Sequence, residues 1–131
     1  MILVDTSIWV EYLKGHQPYL DQMEQLLEDR QILALEPVFG ELLQGAKDDR
    51  ERRVLLEFWG NLPKSPMQGA WVKAGELSSR NKWLDHGIGL IDAVLIFSAR
   101  ESNAKVWTLD KKLKTVLHKN ENFGRDHQEI K

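Results

Sequence analysis

The sequence predicts an α/β fold, a central mainly parallel sheet covered by helices on both faces, and three observations carry that expectation. Short apolar runs at Ile2-Leu3-Val4, Ile32-Leu33-Ala34-Leu35 and Lys105-Val106-Trp107-Thr108-Leu109 have the length and composition of buried strands. Segments whose apolar residues recur at helical spacing separate them. Two of the runs end in an aspartate, Asp5 and Asp110. Strands alternating with helices require crossover connections, and therefore a parallel sheet buried from both sides.

The elements follow in order. After Asp5, Thr6 or Ser7 is placed to N-cap a helix that runs to Lys14 and stops at Gly15. Leu20, Met23, Leu26 and Leu27 keep helical spacing in the next segment. Pro37 suits the first turn of a helix ending near Gly45, and Glu36 before it reads as part of a turn. Val54, Leu55, Phe58 and Trp59 carry a helical register to the break at Asn61-Leu62-Pro63, and Trp71, Ala74, Leu77 and Leu84 mark one longer helix after it. Leu90 to Ala99, LIDAVLIFSA, is apolar on every side except at Asp92 and Ser98, as in a helix buried all round. Leu113, Val116 and Leu117 mark a last short helix, and the polar stretch from Asn120 to Lys131 reads as a fraying, flexible tail.

At 131 residues the chain is expected to form a single domain, residues 1–131, with one site. It is 42% hydrophobic and 29% charged, which supports a folded core rather than disorder. The absence of cysteine excludes a disulfide framework, a thiolate metal site and a cysteine nucleophile, and fits a reducing, cytoplasmic setting. Asp5 interrupts the opening apolar run before it reaches the about 7–15 residues of a signal peptide. No segment approaches the roughly 20 apolar residues of a membrane span. A net charge of −2 gives no global argument for a nucleic-acid partner. Locally, five lysines (Lys105, Lys111, Lys112, Lys114, Lys119) surround one acid, Asp110, and read either as a phosphate-binding patch or as a solvated helix face.

The candidate chemistry lies in carboxylates that a bland core does not explain. Ligands of an open parallel sheet bind beyond the carboxyl ends of its strands, which is where Asp5 and Asp110 fall. Asp92 sits inside an apolar helix, where an ionised carboxylate is costly unless it is paired or bound to a cation. A structural alternative is that it N-caps that helix. Glu41, in PVFGELLQG, is preferred to Glu36 because apolar residues and glycine rather than charges adjoin it. Three aspartates and a glutamate offer hard oxygen donors that suit Mg²⁺ or Mn²⁺ rather than zinc. The histidines, His16, His86, His118 and His127, show no metal-ligand spacing, and there is neither a glycine-rich phosphate loop nor a G-x-S-x-G elbow.

Four strings resemble the motifs of the PIN-domain ribonucleases, and most closely the VapC toxins of toxin–antitoxin pairs: ILVDTSIWVEYL, PVFGELLQGA, GIGLIDAVLIFSA and VWTLDKKL. Their order and spacing, across nearly the whole chain, carry the resemblance. It implies a three-layer α/β/α PIN-like fold and catalytic acids at Asp5, Glu41, Asp92 and Asp110, with Asp5, Asp92 and Asp110 holding Mg²⁺, for which Mn²⁺ is able to substitute. Thr6, Ser7 and Thr108 would be supporting hydroxyls, and Lys111, Lys112 and Lys114 would contact RNA. The implied reaction is endonucleolytic cleavage of RNA, with a transfer RNA or ribosomal RNA loop as substrate and a small antitoxin and a second copy of the chain as partners. Some relatives carry a further acid two residues after the last one; here that position is Lys112, and Leu113 stands where a phenylalanine is usual. Two alternatives are a catalytically silent PIN fold that only binds, and a haloacid-dehalogenase-like phosphatase, whose second aspartate would fall at Ser7.

Overall fold

The computed structural model of the chain describes residues 1–124. Within them β1 (Ile2–Val4) lies between β2 (Ile32–Leu33) and β3 (Lys105–Trp107), both parallel to it. Ile2, Leu3 and Val4 are all buried although successive side chains of a strand point to opposite faces. Both faces of the sheet are therefore covered, as expected of parallel strands reached by helical crossovers.

Seven α-helices supply that cover: α1 (Thr6–Leu13), α2 (Tyr19–Glu28), α3 (Glu36–Gln44), α4 (Asp49–Asn61), α5 (Ala70–Arg80), α6 (Leu90–Glu101) and α7 (Lys111–Val116). Helix α1 packs on α2 and α3, α3 packs on α4, and α6 packs on α5 and directly on β1 and β3. Trp9 of α1 gathers Tyr12, Phe39 and Phe58 with ring centroids 5.2–6.0 Å away, and so joins α1, α3 and α4. Gly15 takes the left-handed conformation that ends α1, with φ of 76°.

Several expectations are corrected. Neither Thr6 nor Ser7 caps α1; Asp5 is the N-cap residue, which frees both hydroxyls for other partners. Glu36 lies in the first turn of α3 beside Pro37 instead of in a turn before it. Strand β2 stops at Leu33 and β3 at Trp107, so each ends about two residues short of its apolar run. Leu84 does not extend α5, because Lys82 adopts a left-handed φ of 54° and Trp83–His86 then form a separate 3₁₀ turn. Leu84 is consequently exposed while its neighbour Trp83 is buried.

The segment Asn120–Gly124 is folded where a fraying tail was expected, and residues 125–131 lie outside the described residues. Lys119–Glu121 form a 3₁₀ turn, Asn122 bridges to Val106, and the Phe123 N–H donates to the Val106 carbonyl at 2.9 Å. At the other margin of the sheet, Ala34 bridges to Lys64. Arg100 of α6 clamps Glu121 through two hydrogen bonds of 2.7 and 3.2 Å. No helix among the described residues is long and apolar enough to cross a membrane.

Burial raises the Glu121 carboxyl, but Arg100 and the His118 backbone and side chain outweigh it and hold the group below the ordinary glutamate range. A lowered folded-state pKa stabilises the fold above the unfolded value and loses that contribution as pH falls. Glu121→Gln is expected to cost about 1–3 kcal/mol at pH 7. The gap from wild type should narrow as pH drops from about 4.3 downward. Urea unfolding of both proteins at pH 7 and pH 3.5 measures it; an equal gap at both values would mean that charge contributes nothing there.

Candidate active site

The carboxyl ends of β1 and β3 meet in a continuous chain of hydrogen bonds. The Asp5 N–H donates to the Trp107 carbonyl at 2.9 Å, which places the first acid beside the end of β3. Asp5 Oδ2 accepts from Ser7 Oγ at 2.9 Å and from Thr108 Oγ1 at 2.6 Å. Each hydroxyl accepts a backbone N–H in turn, from Leu109 onto Ser7 at 3.0 Å and from Asp110 onto Thr108 at 3.0 Å. With its lone pair occupied, each hydroxyl proton is directed at the carboxylate. Asp5 is buried, and its orientation is fixed at once from α1 and from the residue that follows β3.

The other acids arrive on helices. Asp110 is the N-cap of α7, its Oδ1 accepting the N–H of Lys112 at 2.8 Å and of Leu113 at 3.3 Å. Glu41 lies in the second turn of α3, exposed, and Thr6 Oγ1 of α1 donates to its Oε1 at 2.9 Å. Asp92 does not N-cap α6, for the N-cap is Gly89; Asp92 sits three residues in and accepts the Gly89 N–H. Asp92 is therefore not the N-cap residue of α6, although its side chain closes back on the N-cap amide, and the charges it feels are those of the other three acids.

Their mutual proximity is registered in Asp92, whose carboxyl is pushed up to about 6 by burial first, then by the charges of Asp5, Asp110 and Glu41, against the lowering effect of the Gly89 N–H. Among the described residues no Lys, Arg or His forms an ion pair with any of the four. Four acids facing one another without a cationic partner suit a hard divalent cation, and the hydroxyls that hold Asp5 and Glu41 suit it too. The acids are not drawn into a closed cluster: among the described residues no three carboxylate or imidazole groups stand within coordinating reach of a common point. Repulsion between like charges opposes closer approach.

No histidine takes part among the described residues. His16 pairs with Glu11 and His118 with Glu121, His86 is exposed, and His127 lies outside the described residues. A groove of about 710 Å³ leaves the site from Thr6 and Glu41 and runs between α1, α3 and α4 past Val10, Leu42 and Val54. Lys14, Lys47 and Arg50 line it too, and none of them drew notice in the sequence. The signal was the spacing of Thr6, Val10, Leu13 and Lys14, which puts all four on one face of α1.

Because Asp92 titrates higher in the folded protein than the ordinary value of about 4, the native state keeps a proton that the unfolded chain has lost. Stability should therefore fall as pH rises from about 4 to about 6, by about 1 kcal/mol once solvent screening of this half-buried group is allowed for. In EDTA, Asp92→Asn is expected to be more stable than wild type at pH 7 and to lack that slope. Thermal melts between pH 4 and pH 8 check both; a variant less stable than wild type at pH 7 would mean that the carboxylate supports the helix more than it strains the site.

Residues 2–119 match the family described as PIN domain. The chain is 34% identical over 117 residues to Ribonuclease VapC32 of Mycobacterium tuberculosis, across 88% of this chain and 90% of that protein. Among solved structures it is similar to VapBC2 from Rickettsia felis bound to a DNA fragment from their promoter, with a TM-score of 0.67 and 26% identity over 94% of this chain and 99% of that one. FitAcB from Neisseria gonorrhoeae shares the fold at a TM-score of 0.54 and 19% identity, over 86% of this chain and 90% of that one. The family match spans nearly the whole chain, including the positions of all four acids, and with the 34% identical relative it makes the protein a member of the PIN-domain family, similar to the VapC ribonucleases.

Proposed function

We propose that the chain is a Mg²⁺-dependent endoribonuclease, with Mn²⁺ able to substitute, and the toxin of a toxin–antitoxin pair. The observation that carries this reading is the group of four mutually repelling, cation-free carboxylates at the carboxyl ends of β1 and β3, one of them raised to about 6. Membership in the PIN-domain family supports it over a haloacid-dehalogenase-like phosphatase, and retention of all four acids supports it over a silent binding module. When bound, a divalent ion supplies a water nucleophile at neutral pH and offsets charge on the leaving 3′-oxygen, giving a 5′-phosphate and a 3′-hydroxyl.

The chain's own residues supply position and charge. Asp5, Asp92 and Asp110 would hold the ion, with Asp5 kept in place by Ser7 and Thr108. Glu41, fixed by Thr6 on one oxygen, would orient the attacking water or serve as a further ligand. Lys111, Lys112 and Lys114 on α7 attract the polyanion that the acids repel. A single-stranded or looped substrate, such as a transfer RNA or ribosomal RNA loop, allows the backbone to be splayed into an acidic site where a duplex resists distortion. Such a substrate would be met in the cytoplasmic setting that the cysteine-free sequence fits. The likeness to VapBC2 and to Ribonuclease VapC32 supports a small antitoxin as partner, and we extend the reading to a homodimer.

Purified protein should cleave a looped RNA with Mg²⁺ and lose that activity to EDTA. Since the acids act as one unit, Asp5→Asn or Asp92→Asn alone should remove activity on the order of a hundredfold or more, with the double variant little worse. A folded single variant that cleaves like wild type would sink the assignment. Binding to Asp92→Asn across a salt series tests the lysines. Each lost phosphate contact should flatten the slope of log affinity on log salt by about 0.7. An unchanged slope in the triple alanine variant of Lys111, Lys112 and Lys114 would return them to a solvated face.

A further inference from the structure

Lys112 is held at its backbone, and its side chain runs against a neighbouring loop. Its backbone N–H is bound by Asp110 Oδ1 at 2.8 Å, so an acid of the site fixes where the side chain starts. The side chain then leaves α7 and lies across Gly87: a methyl group built on that glycine would stand 3.1 Å from Cδ, 3.4 Å from Cε and 3.3 Å from Nζ of Lys112. Gly87, at a left-handed φ of 78°, closes the Trp83–His86 turn and leads through the buried Ile88 into α6, which carries Asp92. Lys112 therefore spans from the element of one acid to the approach of another.

Its charge is not spent there. Among the described residues the ammonium pairs with no carboxylate within 4.0 Å, although acids stand on both elements it connects. A long side chain loses considerable rotamer freedom when it is laid along a backbone. Holding an unneutralised ammonium beside an acidic site matches the needs of an anion arriving from outside, and a phosphodiester is one that the acids themselves repel.

Resting on the ribonuclease reading above, we propose that Lys112 is a catalytic residue, an ammonium seated on Gly87 that binds a non-bridging oxygen of the scissile phosphate. A cation held by the carboxylates would offset part of the phosphate's charge and Lys112 would add a second positive group, so the charge that builds on the phosphoryl oxygens at the transition state would be met from two sides. The bare Cα of Gly87 is what lets the lysine lie flat against the loop.

Three variants test this: Lys112→Ala, Gly87→Ala, and, for comparison, Lys73→Ala on the exposed face of α5. In single-turnover cleavage of a looped RNA at saturation, Lys112→Ala should slow the reaction on the order of a hundredfold. Lys73→Ala should leave the saturated rate unchanged, and Gly87→Ala should slow cleavage with Lys112 still present. The second readout is Mn²⁺ binding to RNA-free protein, followed by electron paramagnetic resonance. Losing a positive charge near the site should tighten Mn²⁺ binding about fivefold in Lys112→Ala and leave Lys73→Ala unchanged. A saturated rate near wild type in Lys112→Ala overturns the proposal, and a wild-type rate in Gly87→Ala overturns the seating. If wild-type protein cleaves no RNA with either ion, the ribonuclease reading fails and the proposed role with it. Unaltered Mn²⁺ affinity in Lys112→Ala would then also remove the lysine from the border of the site.

Discussion

The hydrogen-bonded junction between the ends of β1 and β3 is the constraint on which the site depends. It joins residues more than a hundred positions apart through a single carboxylate oxygen, since both Ser7 and Thr108 donate to Asp5 Oδ2. The Asp5 and Asp110 amides complete it, so backbone and side chain cooperate in setting where the first and last acids lie. Helix α6, packed directly on β1 and β3, then carries Asp92 toward the same end, and Thr6 holds Glu41 from α1. The electrostatic cost gathers on Asp92 because its flanking residues are apolar and the other three charges face it.

Much of this was legible in the sequence because two strong signals coincide there. Apolar runs long enough to be strands ended in aspartates, and an aspartate interrupted an otherwise apolar helix; both are expensive patterns that burial alone does not produce. The strand and helix order followed from the same runs. The parts that were not legible involve single residues whose backbone conformation overrides pattern. Lys82, in a left-handed conformation, ends α5 although Leu84 keeps the apolar spacing. Likewise Asp5 takes the N-cap position in place of Thr6 or Ser7, and the hydroxyls go instead to carboxylates that are remote in sequence or outside the helix. Local propensity cannot anticipate a hydroxyl whose best partner comes from another element.

The C-terminal segment teaches a related lesson. Asn120 to Gly124 reads as polar and unstructured, yet Glu121 meets Arg100 of α6, whose guanidinium also lies 5.5 Å from the Trp83 ring centroid. Phe123 packs against Trp107 at 5.1 Å between centroids. A short segment with one acid and one aromatic ring is tied down when both find partners that the rest of the fold already holds rigid.

The short bridges at the margins of the sheet have a consequence for how other molecules can be met. Ala34 with Lys64 on one side, and Val106 with Asn122 on the other, occupy the main-chain groups that a bare outer strand would present. Strand addition, by which an extended peptide lengthens a neighbour's sheet or identical chains stack into fibrils, needs those groups free. At those two points, recognition by side chains on helix surfaces and on the acidic rim is favoured over lengthening of the sheet. That form of recognition changes partner by exchanging a few surface residues and leaves the sheet that aligns the acids untouched.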